Sequence, residues 1–185
     1  MKKRGLIACL AVLVLAGLAS FAFDKQISAF AVSLQNPFLD IFFSIFGSWI
    51  FIAAVFLIAG AILLRKHKKK HALALALSVI CALAVASVLK IVFARDRPFG
   101  LTEVYPLLNL QDYSFPSSHT ASIFSMLPVL DEYLKKFEYI WIALAVIVGL
   151  SRVYFGEHYL SDVIFGMIFG YASGYLVNKL INRKK

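Results

Sequence analysis

Residues 72–93 read ALALALSVICALAVASVLKIVF, twenty-two residues with one charge, Lys90. As a helix rising ~1.5 Å per residue the run covers roughly 33 Å, enough to cross a bilayer core of about 30 Å. Working outward, similar apolar stretches occupy Leu6 to Phe23 and Ile41 to Leu64 before it, and His119 to Leu134, Tyr139 to Phe155 and Asp162 to Ile181 after it. Irregular backbone facing lipid would leave N–H and C=O groups unpaired, so each stretch is expected to be helical. The expected fold class is all-α: an integral-membrane bundle of six transmembrane helices in a single domain, residues 1–185. Composition agrees, since 61% of the 185 residues are apolar and 16% charged, too few polar groups to coat a soluble globule and too much apolar content for disorder. The two cysteines, Cys9 and Cys81, lie inside apolar runs and supply neither a disulfide framework nor a cysteine metal site.

Between the first two spans, Ile27, Phe30, Ala31 and Leu34 fall at helical spacing, which predicts a short helix on the membrane surface before the Asn36-Pro37 break. The stretch 94–118 carries Pro98, Gly100, Pro106 and Pro116 and reads as a loop, not a strand. Its apolar residues Leu101, Val104, Tyr105, Leu107, Leu108 and Leu110 suit either an interfacial lip over a lipid or a simple anchor. Gly166, Gly170 and Gly174 put small residues on one face of the last span, for packing inside the bundle or for a homodimer.

The excess of 19 Lys and Arg over 10 Asp and Glu, a formal +9, is explained by position. Six spans place both termini and the loops at 65–71 and 135–138 on one side. That side gathers Lys2, Lys3, Arg4, Arg65, Lys66, Lys68, Lys69, Lys70, Lys135, Lys136, Lys179, Arg183, Lys184 and Lys185, 14 of the 19 basic residues. The positive-inside rule makes it cytoplasmic. The charge is then a sidedness signal and no nucleic-acid partner is expected; a basic stripe interleaved with aromatics is also missing. Lys2-Lys3-Arg4 followed by Leu6 to Phe23 reads as a retained signal-anchor over 6–23, with cleavage after Ala22 as the alternative.

The opposite side carries the chemistry. Lys90, Arg95, Arg97 and Arg152 sit at or beyond the ends of the third and fifth spans, and His119 and His158 begin or precede the spans that follow them. Ionisable groups at membrane depth are costly and usually have partners or a function, although a lysine placed like Lys90 can snorkel to the surface. In Phe115-Pro116-Ser117-Ser118-His119-Thr120 a proline turn feeds hydroxyls into a helix start, which attracts anions and also reads as a plain cap. His158 and Asp162 are four residues apart, so on a helix the carboxylate can accept from the imidazole N–H and leave the other ring nitrogen free; a structural pair closing a helix end is the bland alternative. Taken together, these cations, histidines and hydroxyls describe a pocket for a multiply charged anion, most simply a phosphate. Zinc held by His119, His158 and Asp162 is a rival, ranked lower because Lys90, Arg97 and Arg152 would repel a metal cation. A serine hydrolase built on Ser117 or Ser118 leaves the cations without a role and lacks the Gly-x-Ser-x-Gly elbow.

Lys90, six residues, Arg97-Pro98; Pro116-Ser117-Ser118-His119; and Ser151-Arg152, five residues, His158, three residues, Asp162: this ordered set resembles the type 2 phosphatidic acid phosphatase (PAP2) family. The motifs cover 90–162, within a motif-bearing core of 72–181, and the span layout extends the likeness over nearly the whole chain. The resemblance implies a PAP2/vanadium haloperoxidase-like helical core and metal-independent, cofactor-free hydrolysis of a lipid phosphomonoester or polyprenyl diphosphate through a phosphohistidine. It implies His158 as nucleophile, Asp162 as its orienting partner and His119 as the acid for the leaving oxygen. Lys90, Arg97, Ser117, Arg152 and the backbone N–H of Ser118 would hold the phosphoryl oxygens. The family commonly has glycine where Ser118 stands, which bears on rate and substrate fit. Vanadium haloperoxidases share the motifs but are large soluble proteins; vanadate is expected here as an inhibitor. The expected partners are a lipid phosphate and membrane lipids, the site lying on the outer face of the cell membrane. A lipid phosphotransferase and a non-catalytic carrier or binder of anionic lipid are the alternatives; His158 with Asp162 favours catalysis, because binding needs charge but no oriented nucleophile.

Overall fold

The computed structural model describes residues 3–100, 103–105 and 110–182, with side chains over 11–99 and 113–182. Eight α-helices account for most of it: α1 Lys3–Ser20, α2 Asp24–Ser33, α3 Pro37–Phe46, α4 Trp49–Arg65, α5 Lys69–Phe93, α6 Ser118–Tyr133, α7 Glu138–Tyr154 and α8 Leu160–Ile181. The class is all-α, as expected, and the chain is a multi-pass membrane protein.

Length and apolarity do not confirm all six expected spans among the described residues. Among the described residues, three helical segments, Lys69–Phe93, Lys135–Tyr154 and Leu160–Ile181, are long and apolar enough to cross a membrane, and two bent pairs raise the number to five if each is one span. The sixth, α6, has 16 residues. Its residues 120–123 and 125–130 are buried, so it is the central post of the bundle and has little lipid-facing surface.

The expected span Ile41 to Leu64 is broken. α3, which begins at its Asn36 cap, ends at Gly47, and α4 meets it at 44° because Ser48 starts α4 afresh by accepting from Phe51 N at 3.1 Å. A hydroxyl that satisfies an orphan N–H in this way defines a new helix start. Gly47 sits at the break against α7, where a Cβ would lie 2.2 Å from Ser151 Oγ.

α2 is the short helix expected after the first span, turned 82° from α1, but its most buried residues are polar, with Ile27 and Ala31 half-buried. Asp24 and Ser28 are buried, while Phe30 and Leu34 are 66% and 48% exposed. Within 94–118, β1 Glu103–Tyr105 and β2 Leu110–Asp112 pair antiparallel with Val104 opposite Gln111, which corrects the reading of this stretch as loop alone. Pairing supplies the backbone hydrogen bonds that a long connection otherwise lacks. The lip residues Leu101, Leu107 and Leu108 lie outside the described residues, as do the side chains of Val104, Tyr105 and Leu110.

α8 lies against α6 with almost nothing between the backbones. A Cβ on Gly166 would stand 2.8 Å from Ser117 O, on Gly170 2.3 Å from Ala121 O, and on Gly174 2.0 Å from Ser125 O. The glycine face is therefore filled by α6 of the same chain, which leaves no room there for the homodimer contact weighed above. The apolar core is formed by Ile52, Val55, Ala59 and Leu63 of α4, Ala74 and Leu75 of α5, Ile123 to Leu130 of α6, and Ala145 and Val148 of α7. Outward residues such as Ile50, Leu57, Ile80, Ile91 and Leu180 are exposed, as a lipid-facing surface requires. His71 stacks on Tyr133 with ring centroids 3.5 Å apart, so the basic connections at 65–71 and 134–137 share one end of the bundle. The motif residues gather at the other end.

Candidate active site

Five segments meet at that end: the C-terminal turn of α5 with the connection after it, the start of α6, the α7–α8 turn, α2, and the α3–α4 break. The start of α6 is tied to α8 by Ser117 N–H donating to Asp162 O at 3.1 Å. His158 and Asp162 are 2% and 0% exposed, and Ser114, in the turn before α6, lies between them.

Their direct bond differs from the expectation. His158 Nδ1 and Asp162 Oδ2 are 3.7 Å apart, beyond hydrogen-bond reach. Ser114 Oγ donates to Asp162 Oδ2 and lies 3.4 Å from His158 Nδ1. A hydroxyl has one proton to give and lone pairs to receive, so with its proton on Asp162 it faces Nδ1 as an acceptor. That arrangement places the imidazole proton on Nδ1 and leaves Nε2 as the free base. Burial pushes His158 down from the ordinary 6.5 to about 4, with the Asp162 carboxylate opposing and Arg97 and Lys90 reinforcing the fall. The ring is therefore neutral throughout the physiological range.

The three expected phosphate cations are all buried: Lys90 8%, Arg97 6% and Arg152 6% exposed. Lys90 Nζ donates to Tyr113 O, so it points into the protein and is not a lysine that has snorkelled outward. Arg97 Nη1 donates to Glu157 O at 3.1 Å and stands 3.9 Å from Glu157 Oε2. Arg152 Nη1 donates to Gly47 O at 3.1 Å and also pairs with Glu157. The break between α3 and α4 thus has a use: it turns a backbone carbonyl toward a guanidinium at the site. Glu157 carries a carboxylate to the two arginines.

Ser117 is fully buried and caps α6, its Oγ accepting from Thr120 N at 3.4 Å and from Thr120 Oγ1 at 3.0 Å. Both readings of this serine stay compatible, since a hydroxyl that accepts twice still has a proton to give. Ser118 and His119 are half-buried, and the His119 ring packs on Trp49 with centroids 3.9 Å apart. Among the described residues no three His, Cys, Asp or Glu side chains converge into a metal-binding group, so His119, His158 and Asp162 are not arranged as the ligand set of the zinc alternative.

Five participants at this end had no assigned role in the sequence reading: Ser114, Glu157, Arg95, Asp24 and Ser161. Arg95 had a signal, as one of the cations on this side. Glu157 adjoins His158 in sequence and was legible by proximity. Ser114 and Ser161 are ordinary serines, and Asp24 is 137 residues from the serine it binds.

The PAP2 superfamily model matches residues 71–185 of this chain. Phosphatidylglycerophosphatase B of Bacillus subtilis (strain 168) is 31% identical over 157 residues, 77% of this chain and 75% of that protein. Undecaprenyl-diphosphatase BcrC of the same organism is 25% identical over 139 residues, 74% of this chain and 72% of that protein. The crystal structure of a transmembrane PAP2-type phosphatidylglycerolphosphate phosphatase from Bacillus subtilis superposes with a TM-score of 0.74 at 27% identity, covering 100% of this chain and 98% of that one.

Proposed function

The chain belongs to the PAP2 superfamily, and from that premise we propose that it is an integral-membrane phosphatase that hydrolyses a lipid phosphomonoester or a polyprenyl diphosphate by way of a phosphohistidine at His158. The observation that carries the proposal is the buried His158, with Nδ1 turned to Ser114 and Asp162, at the bundle end where Lys90, Arg97 and Arg152 are also buried.

Phosphoryl transfer needs positive charge spread over the equatorial oxygens and an attacking and a leaving group in line through phosphorus. Lys90, Arg97 and Arg152 supply the charge, with Ser117 and the N–H groups opening α6. The substrate phosphoryl group takes the place of the Glu157 carboxylate against the two arginines. His158 Nε2 forms the bond to phosphorus while the bond to the leaving oxygen breaks, and His119 gives that oxygen its proton. A water then attacks the phosphohistidine, yields its proton to His119 and frees inorganic phosphate and His158. Ser118, in the first turn of α6 and half-buried, adds a hydroxyl where the family commonly has glycine and so shapes the space beside the leaving group.

The substrate class follows from position. The site lies at one end of the helices and the basic connections at the other, which supports cytoplasmic termini and a site on the outer face under the positive-inside rule. A lipid whose headgroup rests at that depth keeps its tail in the bilayer. Relatives named for phosphatidylglycerophosphate and undecaprenyl diphosphate make these the first two substrates to try. The test is phosphate release from short-chain phosphatidylglycerophosphate, a polyprenyl diphosphate and phosphatidate in detergent with EDTA. Release from at least one, undiminished by the chelator and inhibited by vanadate, is expected. Loss of activity on chelation contradicts the metal-free route, and binding of these lipids without release identifies a carrier.

A further inference from the structure

Behind the orienting carboxylate stands a second layer of charge. Arg95 Nη1 donates to Asp162 Oδ1 at 2.6 Å and to Ser161 Oγ at 2.7 Å, while Nη2 donates to Asp24 Oδ2 at 2.7 Å. Ser161 completes the ring: its N–H donates to Asp24 Oδ1 at 3.1 Å and its hydroxyl donates to Asp24 Oδ2. The guanidinium carbon lies 4.1 Å from the centre of the Tyr159 ring and 4.8 Å from that of Phe21, so aromatic faces hold the fork as well. We propose that Arg95 and Asp24 are positioning residues of the hydrolytic reaction, forming a carboxylate–guanidinium–carboxylate bridge from α2 to α8 that fixes Asp162 and, through it, His158.

The two oxygens of Asp162 divide their work. Oδ1 faces Arg95, whereas Oδ2 accepts from Ser114 Oγ and from Tyr159 N at 2.9 Å. Carboxylate rotation is a soft, roughly two-fold torsion; a guanidinium on one oxygen selects the orientation in which the other serves the histidine side. A fork held at both ends is suited to this in a way an ammonium is not, since its donors are fixed in one plane. Arg95 in turn sits between two buried carboxylates, Asp24 at 2% and Asp162 at 0% exposure, so removing Asp24 takes the carboxylate from Nη2 and unties one end of the fork.

The build of α2 points the same way. The fully buried residues of this helix are Asp24 and Ser28, while Ile27, Ala31 and Val32 are only half-buried and Phe30 is exposed; burying a carboxylate is expensive unless the charge is paired. Asp24 lies outside residues 71–185, the part matched by the family model; on this account the N-terminal segment completes the catalytic machinery as well as packing on it.

The proposal rests on His158 acting as nucleophile, and the experiment separates the two. Steady-state hydrolysis of the best lipid phosphate in detergent is compared for wild type, Arg95→Gln, Arg95→Lys, Asp24→Asn, the double variant Asp24→Asn/Arg95→Gln, and His158→Ala. Loss of a group that orients a reacting one costs on the order of 10–100-fold. Arg95→Gln is therefore expected to lower kcat by about that factor with KM within about 2-fold, because the phosphate cations are untouched. Asp24→Asn is expected to lower kcat by roughly 10-fold alone and by less than about 2-fold in the Arg95→Gln background, the signature of one shared device. Arg95→Lys is expected to recover part of the loss.

The pH profile supplies a readout that mere loosening of the fold would not move. The charges facing His158 and its partner come from every packed element: Asp24 on α2, Lys90 on α5, Arg95 and Arg97 after it, His119 on α6, Arg152 on α7, Glu157 in the α7–α8 turn and Asp162 on α8. Neutralising Arg95 leaves the Asp162 charge less opposed at the imidazole, so His158 keeps its proton to higher pH and the acid limb of kcat moves upward. Near-normal kcat in Arg95→Gln, a full Asp24→Asn penalty in the double variant, or a loss of kcat that only tracks the folded fraction with an unmoved acid limb would each overturn the bridge. If Arg95→Gln does not yield monodisperse protein, Asp24→Asn and Arg95→Lys decide by the same criteria. A wild type that releases no phosphate, or an active His158→Ala, defeats the nucleophile reading and the bridge with it. An inert His158→Ala beside a normal Arg95→Gln defeats the bridge alone.

Discussion

The two ends of the α6–α8 pair are built from opposite materials. At the start of α6, Phe115 packs on Phe165 and Phe169 of α8, and beside it lies a cluster of buried polar side chains, Ser114, Ser117, His158, Ser161 and Asp162, each engaged by another polar group. Toward the far end, Met126, Leu127, Val129 and Leu130 fill the interior, and Asn178 there donates to Glu132 Oε2 at 2.7 Å and to Pro128 O at 3.4 Å. The glycine face of α8 runs along both. One helix pair thus carries an apolar, stabilising end and a polar end, where we place the reaction. Buried polar groups are dear in free energy unless fully paired, so their concentration at one end marks where the molecule gives up packing for chemistry.

If that division is right, substitutions at the two ends should fail in different ways. The largest effect is expected from His158→Ala: turnover falls by at least about 10³-fold while the thermal midpoint in detergent stays near wild type. Substantial residual turnover would break the comparison at once. Next is Asp162→Asn, which keeps the shape but removes the charge behind the imidazole; a loss of roughly 10²–10⁴-fold in kcat is expected, measured under saturating substrate. A near-normal rate would show that Ser114 alone orients the ring.

The third prediction concerns pH. With His158 held down to about 4 by burial, the base form persists well below the ordinary 6.5, so the acid limb of kcat/KM should fall near pH 4–5 and not near 6.5. The same shift has a stability sign. The folded protein binds fewer protons at His158 than the unfolded chain between pH 6.5 and about 4, so this group lowers stability as pH falls through that window and contributes no such loss above it. A limb at 6.5 would mean that the ring is solvated. The smallest effect on chemistry is expected at the opposite end. Leu130→Ala should cost on the order of 2–5 kcal/mol of stability, seen as a lower thermal midpoint, with kcat per folded molecule within about 2-fold of wild type. A selective loss of kcat there would show that the ends are coupled.

Much of this molecule was legible in its residue order, and the exceptions have physical causes. The runs 72–93 and 162–181 became α5 and α8 because continuous apolar length is a strong signal. The break in 41–64 was hidden because Gly47 and Ser48 look harmless inside an apolar stretch; what ends the helix is a hydroxyl cap and a close approach to Ser151. Central α6 read as a span because burial in protein and burial in lipid select the same side chains. The motif residues were found since their spacing carries chemistry, and Lys90, Arg97, Arg152, His119, His158 and Asp162 do arrive at one end of the bundle. Ser114 and Asp24 were not found. Each acts through a contact far away in sequence, and a lone serine or aspartate has no pattern to betray it.

The most direct test of the central claim is to look for phosphorus on the nucleophile. Enzyme mixed with a lipid phosphate in detergent, quenched in alkali, digested and analysed by mass spectrometry should carry a phosphoramidate at His158, more strongly in His119→Ala if His119 also activates the water. A turning-over enzyme with no phosphohistidine, or with the phosphoryl group on His119 or a serine, would contradict the account.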